Sequence, residues 1–439
     1  MPAAETWHAN RPMMPMRLKD FLSAVQRKGA SGLLQAVNNR FLRAMHWGLA
    51  CPLFGLHVAL FMLVLPVRRI RIGILPTERI GHLALNPDLY LRRRRLASGN
   101  GIGASAGATF FVAGKPANEQ LLKMWMREIR VWRLPFLHAV LRTSQRMWEK
   151  SPFFQPMEMQ STEYDVFSRE PAVLGFTSEE EAEGRRRLAE WGIDPERDWF
   201  VCVYARDAAY LKSAYPDAGD WSYHDNRNAD IAALGPALNE IVGRGGYVLR
   251  MGHLVAKPLM HASPRVIDYA SCFRSDFMDI YLAAKCRFFL GTTGGIGDVA
   301  MTFDRPRLGI DWVPFGNAPL AKNSIFMPKL IVNPATGEKY SFRRLLCDFS
   351  NRNDPKLWDG KTAFRQGYRY LDNTPEEILA ATREMLDRLA GRHGMTVEDE
   401  ALQNAYRAAF PEEHLCSGIG TPIAAEFLKA HRDLLMAPA

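Results

Sequence analysis

No two cysteines in this chain stand close enough to begin a zinc or redox motif. The six of them, at positions 51, 202, 272, 286, 347 and 416, form no C-x-x-C and read as reduced core thiols of a cytoplasmic protein. A G-x-x-x-x-G-K-S/T stretch is missing, which argues against a P-loop nucleotide hydrolase. The G-x-G-x-x-G of a dinucleotide-binding turn does not open either half of the chain. No two aspartates stand at D-x-D spacing, so a common carboxylate pair for a divalent metal is absent. The chemistry is therefore expected to run on arginines and backbone amides, without a metal or other cofactor. Internal repeats and low-complexity tracts are also lacking.

What is present is globular. At 439 residues the chain is too long for one ordinary core, and two domains are expected. Hydrophobic residues make up 47% and charged residues 23%, the balance of a folded protein. A formal charge of +9 and 10 Trp suit an anionic partner, whether nucleotide, phospholipid or nucleic acid.

One segment departs from that picture. Residues 47–67, "WGLACPLFGLHVALFMLVLPV", carry no formal charge and have about the length that crosses a bilayer as a helix. Pro52, Gly55, His57 and Pro66 interrupt it. Arg40 and Arg43 precede it, and Arg68, Arg69 and Arg71 follow, so the positive-inside rule gives no orientation. It reads either as a membrane-associating segment that spans or dips into one leaflet, or as a buried helix or lid of the neighbouring domain. The basic residues 1–46 before it are too many for a secretory signal.

Beyond residue 68, short apolar runs alternate with amphipathic ones. Expected strands are Ile70–Leu75, Thr109–Ala113, Trp199–Ala205, Tyr247–Met251, Cys286–Gly291 and Arg307–Asp311. Helices are expected to start at Ser178, with Glu181 at capping-box spacing, and after Thr374 with Pro375 in the first turn. This alternation predicts an α/β architecture with mainly parallel sheets. The Pro-containing stretch Gly192–Trp199 suits a crossover, giving a first domain over 68–193 and a second over 194–389. Residues 390–439 are expected to be helical and to pack back on the first domain.

Open α/β sheets bind ligands beyond the carboxyl ends of their strands. Arg206 and Asp207 stand at that end of the second domain's first strand, with Tyr210 shortly after. Arg250, Gly252 and His253 follow "YVL", and Thr292, Thr293, Gly294 and Gly295 follow "FFL". Glycines let backbone approach an anion closely, threonines donate hydrogen bonds, and the following helix offers its amides. Arg206 and Arg250 would add fixed charge. Singly these features also read as a tight turn and a surface ion pair; their joint placement points to a site for an anionic ligand such as a nucleotide diphosphate.

The blocks "VCVYARDAAYL", "HDNRNADI", "GGYVLRMG" and "DYASCFRSDFMDIYLAAKCRFFLGTTGG", spanning Val201 to Gly295, resemble a family of bacterial glycosyltransferases of the two-domain GT-B type, and more distantly GT-B fucosyltransferases. The likeness extends through "RIGHLALNPDLYL", "FFVAGKPANEQLLKMW" and "FLKAHRDLL". It implies two Rossmann-like domains facing across a cleft, with Arg206 on the donor pyrophosphate and Asp225, Arg227 and Asn228 near the donor. The fucosyltransferases carry a paired Arg-Arg where this chain has Arg206-Asp207. "HDNRNADI" reads equally as a helix start with Asn228 near the cap. "FMDIYLAAKC" reads as a core-facing helix burying Met278, Tyr281 and Leu282, and "RRRR" at 92–95 as a solvated face or a contact for anionic lipid.

Two functions stay open. One is a metal-independent, inverting transferase at the cytoplasmic face of a bacterial inner membrane. It would pass a hexosyl or deoxyhexosyl group from a nucleotide sugar to a lipid-linked or surface-polysaccharide acceptor. The other is an inactive relative that binds nucleotide or glycan as a membrane-attached assembly protein; a nucleotide-sugar hydrolase or epimerase is a lesser enzyme alternative. Nucleotide sugar, a glycan or glycolipid acceptor and membrane lipid are the expected partners, and nucleic acid is not. For a transferase, "TERIGHL" after the first strand offers His82 as the base, placed in a loop behind Gly81. Glu78 is the rival, and Arg79 would hold phosphate or orient either one.

Overall fold

The run Ile70–Leu75 forms β1, the inner strand from which the first sheet grows to both sides. The computed structural model describes residues 38, 41–59, 70–99, 108–157, 163–207, 226–255, 257–348, 368–412, 414 and 416–436. The chain divides into two units, Met1–Gln160 and Ser161–Ala439.

In the first unit, β2 (Ala108–Ala113), β3 (Arg130–Arg133) and β4 (Phe154–Gln155) join β1 in the order β3-β2-β1-β4, all parallel. Gly73 makes the tight β1 packing feasible: a Cβ there would lie 2.6 Å from the Gln155 carbonyl oxygen and 2.6 Å from the Phe111 ring. Helix Ile80–Gly99 follows β1 and holds Pro87 in its interior. Proline has no N–H to give the carbonyl four residues back, which here is Leu83. The indole N–H of Trp125, fully buried on helix Glu119–Glu128, donates to that carbonyl at 2.8 Å. The run of arginines is split by burial. Arg92 is fully buried and its Nε donates to Asp88 at 2.9 Å, whereas Arg94 and Arg95 are exposed.

The apolar N-terminal segment is helical over 41–59, and the remainder of 47–67 lies outside the described residues. Among the described residues no helix is long and apolar enough to cross a membrane. Over the described part of the segment, one face of this helix packs on protein. Phe54 and His57 meet the Trp148 ring edge-on at 5.2 and 5.0 Å. Leu53 and Phe54 also pack on the cluster of Ile74, Val112, Leu141, Trp148 and Phe154.

The second unit holds six parallel strands in the order β10-β9-β8-β5-β6-β7. They are β5 (Phe200–Tyr204), β6 (Tyr247–Arg250), β7 (Val266–Ile267), β8 (Phe289–Gly291), β9 (Arg307–Trp312) and β10 (Ile325–Pro328). β5 begins the sheet, β6 and β7 extend it one way, and β8 to β10 extend it the other. This is the doubly wound dinucleotide-binding order, with its switch point between β5 and β8. A small antiparallel pair, β11 (Leu330–Val332) and β12 (Arg369–Leu371), stands apart.

Capping chemistry sets the helix starts. Thr374 precedes the helix Pro375–Leu389 as expected and forms a capping box with Glu377; at the earlier helix the box is Thr177 with Glu180. Ser178, the expected cap, is thus the first helical residue, and the cap falls one position earlier on Thr177, which has the extended backbone a cap needs. That helix is tied to helix Asp276–Lys285 by Glu181, which accepts from Tyr281 at 3.2 Å and Lys285 at 2.5 Å. Met278, Tyr281 and Leu282 are buried as read. Residues 390–439 belong to the second unit, where Glu384 accepts from the Ala425 amide at 2.7 Å and His431 pairs with Glu377 at 2.9 Å. The cysteines are free; Cys202, Cys286 and Cys416 are buried, while Cys51 and Cys272 are exposed rather than in the core.

Candidate active site

The switch point of the second sheet is built by two glycines and a tyrosine. A Cβ on Gly291 would lie 2.2 Å from the Tyr204 carbonyl oxygen, and one on Gly294 would lie 2.6 Å from the Tyr204 ring. Glycine at both positions lets the Thr292–Gly295 turn fold over the end of β5, and the Thr292 amide donates to the Tyr204 carbonyl at 3.2 Å. Burial pushes the Tyr204 phenol up to about 12, with Arg206 opposing the shift, so the group stays neutral. Gly294 caps helix Gly295–Thr302 without any side-chain cap. Its first amides are therefore left without a side-chain acceptor at the cap, as at an anion-binding helix end. The Thr293 hydroxyl is buried beside them with no hydrogen-bond partner among the described residues.

The neighbouring groups divide into those that meet this turn and those that hold it. Arg206 meets it: its amide donates to the Thr292 hydroxyl at 3.1 Å and its guanidinium donates to the Asn228 side chain. Asn228 is fixed in turn, its carbonyl accepting from Lys329 Nζ at 2.7 Å, and Lys329 also pairs with Asp372 at 2.6 Å. Asp207, just past β5, and Arg227 are partly exposed. Asp230, not Asn228, caps the short helix that follows, accepting from the Ala232 amide at 3.1 Å. Tyr210 and Asp225 lie outside the described residues. Gly252 takes a φ of 156° and sits against Val255, turning the chain sharply after β6, with His253 exposed beyond it.

Arg250 is placed differently from Arg206. Its side chain is 2% exposed and donates to Asp268 at 3.2 Å and to the Lys257 carbonyl at 3.1 Å. The same aspartate accepts from the Leu259 amide at 2.8 Å. Arg250 thus closes the 257–268 loop on the sheet instead of presenting its charge at the strand ends.

Sequence reading passed over Arg307, which braces the turn from beneath. Fully buried and stacked over Trp312 at 4.6 Å, it donates to the Thr292 carbonyl at 2.6 Å and to Asp298 at 3.3 Å. Its guanidinium occupies the space a side chain at Gly297 would need, since a Cβ there would lie 2.4 Å from it. Gly297→Ala is therefore expected to displace Arg307 and destabilise the fold by about 1–3 kcal/mol. Thermal unfolding checks this; unchanged stability would mean that the brace is dispensable. Asp311 closes the expected strand Arg307–Asp311. It is 2% exposed, has a φ of 48°, and exchanges hydrogen bonds with Asn373 at 2.6 and 2.7 Å. Burial raises its carboxyl to about 6 against the pull of Lys329.

In the first unit, His82 lies not in a loop but in the first turn of helix Ile80–Gly99, begun by the Leu83 amide donating to the Arg79 carbonyl at 2.9 Å. Pro87 concealed this helix from a sequence reading. The helix brings Asn86 one turn below His82, with Nδ1 of the ring 3.3 Å from the Asn86 Oδ1. Asn86 is itself held by donating to the Met157 carbonyl at 2.7 Å, so its oxygen is left to accept. Nδ1 then carries the proton, and Nε2 keeps the basic lone pair. Burial lowers the His82 pKa; Asn86 opposes this, Arg79 and Arg142 add to it, and Glu78 opposes it. Glu78 is occupied elsewhere, 3.4 Å from Arg142 and 3.9 Å from His138, and it is half-exposed. Arg79 is exposed and Gly81 partly buried.

Among the described residues, these two sets supply a cationic turn at a helix start in one unit and an oriented imidazole in the other. No protein-family model matches the chain, and no curated protein matches it. Among solved structures it is similar to Escherichia coli ADP-heptose lps heptosyltransferase II, at 13% identity and a TM-score of 0.41, over 72% of this chain and 99% of that one. It is also similar to the family 9 glycosyl transferase of Veillonella parvula, at 10% identity and a TM-score of 0.39, over 59% and 85%. A third is E. coli heptosyltransferase WaaC with ADP, at 8% identity and a TM-score of 0.29, over 59% and 90%. None of these three is a fucosyltransferase, and likeness this slight carries no argument about function. No group of three or more His, Cys, Asp or Glu among the described residues is arranged to hold a metal ion.

Proposed function

We propose that this protein is a glycosyltransferase that binds a nucleotide sugar at the β5/β8 switch point and transfers the sugar to an acceptor hydroxyl. The observation that carries the reading is the joint placement of Arg206 and the Thr292–Gly295 turn on the two sides of that switch point. Sugar transfer from a nucleotide donor releases a pyrophosphate-bearing leaving group. A positive side chain, a helix N-terminus and a buried hydroxyl stabilise the charge that develops on it. In the GT-B plan implied by the sequence resemblance, the second unit is the donor side and the first the acceptor side. His82 Nε2 takes the proton of the attacking hydroxyl, and direct attack from the face opposite the leaving group inverts the anomeric carbon. The acceptor class in this reading is a lipid-linked or surface polysaccharide.

Mass spectrometry of products formed from a panel of UDP-, GDP-, ADP- and CMP-linked sugars with membrane glycolipid extracts tests the proposal. A mass increase of one sugar residue on an acceptor supports it; intact donors throughout would leave a binding protein. With arginine and amides in place of a carboxylate-bound metal, activity is expected to persist in excess EDTA. Complete loss on chelation, restored by magnesium or manganese, would contradict that part.

A further inference from the structure

The helix over 41–59 has one face in the first unit's core and the other uncovered, and the uncovered face has the wrong chemistry for water. From Ala44 to Ala59 it carries no charged residue. Trp47, Leu49 and Leu56 are 44%, 37% and 57% exposed, with Phe41 at 66% in the first turn; Gly48, Cys51, Pro52, Gly55 and Ala59 between and beyond them are exposed as well. The apolar surface continues onto the neighbouring helix Pro135–Thr143, where Phe136 is 56% exposed and touches His46 edge-on at 5.8 Å. A contiguous apolar patch of this kind marks an interaction surface.

We infer that this face seats the first unit in the plane of an anionic lipid bilayer, with Trp47, Leu49, Leu56 and Phe136 in the acyl-chain boundary and the helix lying parallel to the surface. Charge selects that occupant. Between Arg17 and Arg71 the sequence holds Arg17, Lys19, Arg27, Lys28, Arg40, Arg43, Arg68, Arg69 and Arg71, against a single acid, Asp20. Apolar contact flanked by such basic density is the pattern of an interfacial helix on acidic headgroups. A second copy of the chain would set like charges against each other. Lying in the plane, not crossing, follows from the inner face: Phe54 and His57 stay on Trp148, so the helix cannot be surrounded by lipid. The inference rests on the first unit's surface and stands apart from the sugar-transfer reading.

Sedimentation of the full chain with sucrose-loaded vesicles tests it. Binding to phosphatidylcholine vesicles containing 30 mol% phosphatidylglycerol is expected to exceed binding to pure phosphatidylcholine by about tenfold or more, and to fall in high salt. The double variant Trp47→Ser/Leu56→Ser is expected to lose binding by about tenfold while its thermal unfolding stays that of the wild type, since both side chains are on the surface. Brominated acyl chains should quench wild-type tryptophan fluorescence, and quench a Trp47→Phe variant less. Wild type that remains in the supernatant with both vesicles, or a double variant that binds as well as wild type, overturns the inference. So does a wild-type dimer in sedimentation velocity that the double variant turns into a monomer.

Discussion

Replacing His82 by alanine is expected to lower turnover by about 10² to 10⁴ and leave nucleotide diphosphate affinity nearly intact. The size follows from the role proposed for it: a ring whose Nδ1 is held against Asn86 would offer its Nε2 lone pair to a hydroxyl proton. Burial is the main cause lowering its pKa from the ordinary 6.5. A lowered histidine pKa keeps the imidazole neutral down to more acidic pH. Turnover is therefore expected to rise with pH through an apparent pKa below 6.5 and to be flat above it, and this limb should vanish in His82→Ala. Asn86→Ala should give a smaller loss, because the ring stays but its tautomer is no longer set. Steady-state kinetics across pH 4.5 to 8.5 with a folded variant decides it. Near-normal turnover in His82→Ala excludes this residue as the base and turns attention to Glu78.

Arg206→Ala, in contrast, is expected to damage binding and turnover together. A charge-assisted hydrogen bond of this kind is worth about 1.5 to 3 kcal/mol, so nucleotide diphosphate affinity should fall about tenfold or more. The turnover loss should be larger, because the leaving group carries more charge in the transition state than in the bound donor. The substitution also removes the Arg206 donor to the Asn228 side chain, whose backbone carbonyl Lys329 holds. Arg206→Lys keeps the charge without the planar fork and should recover only part of the affinity. Titration calorimetry with nucleoside diphosphates measures the binding effect, and unchanged affinity removes Arg206 from the site.

The second sheet was readable in the sequence because its strands are continuous apolar runs that end in polar or glycine residues. A parallel sheet buried on both faces writes itself in that way. The β5 and β8 ends were legible for the same reason, and so were Arg206 and the glycine turn. Short strands such as β4 and β7 carry only two residues each and leave no pattern. The helix holding His82 was hidden by Pro87, whose missing hydrogen bond is made good by Trp125, nearly forty residues away. Buried polar partners arrive from other segments: Arg250 meets Asp268, Arg307 reaches back to Thr292 at the site, and Asp311 pairs with Asn373. No local spacing announces such pairs. Burial decided them, and it turned Arg250 from an expected ligand contact into a partner of the fold.

The function proposed for the β5/β8 switch point is to bind a nucleotide sugar and promote departure of its nucleoside diphosphate. The measurement that decides it is release of nucleoside diphosphate from a panel of nucleotide sugars, made side by side for wild type, Arg206→Ala and His82→Ala in the presence of glycolipid extract. Release from at least one donor by the wild type, strong loss in both variants, and weakened donor binding in Arg206→Ala alone are expected. Tight nucleotide binding by the wild type with no release from any donor would contradict it.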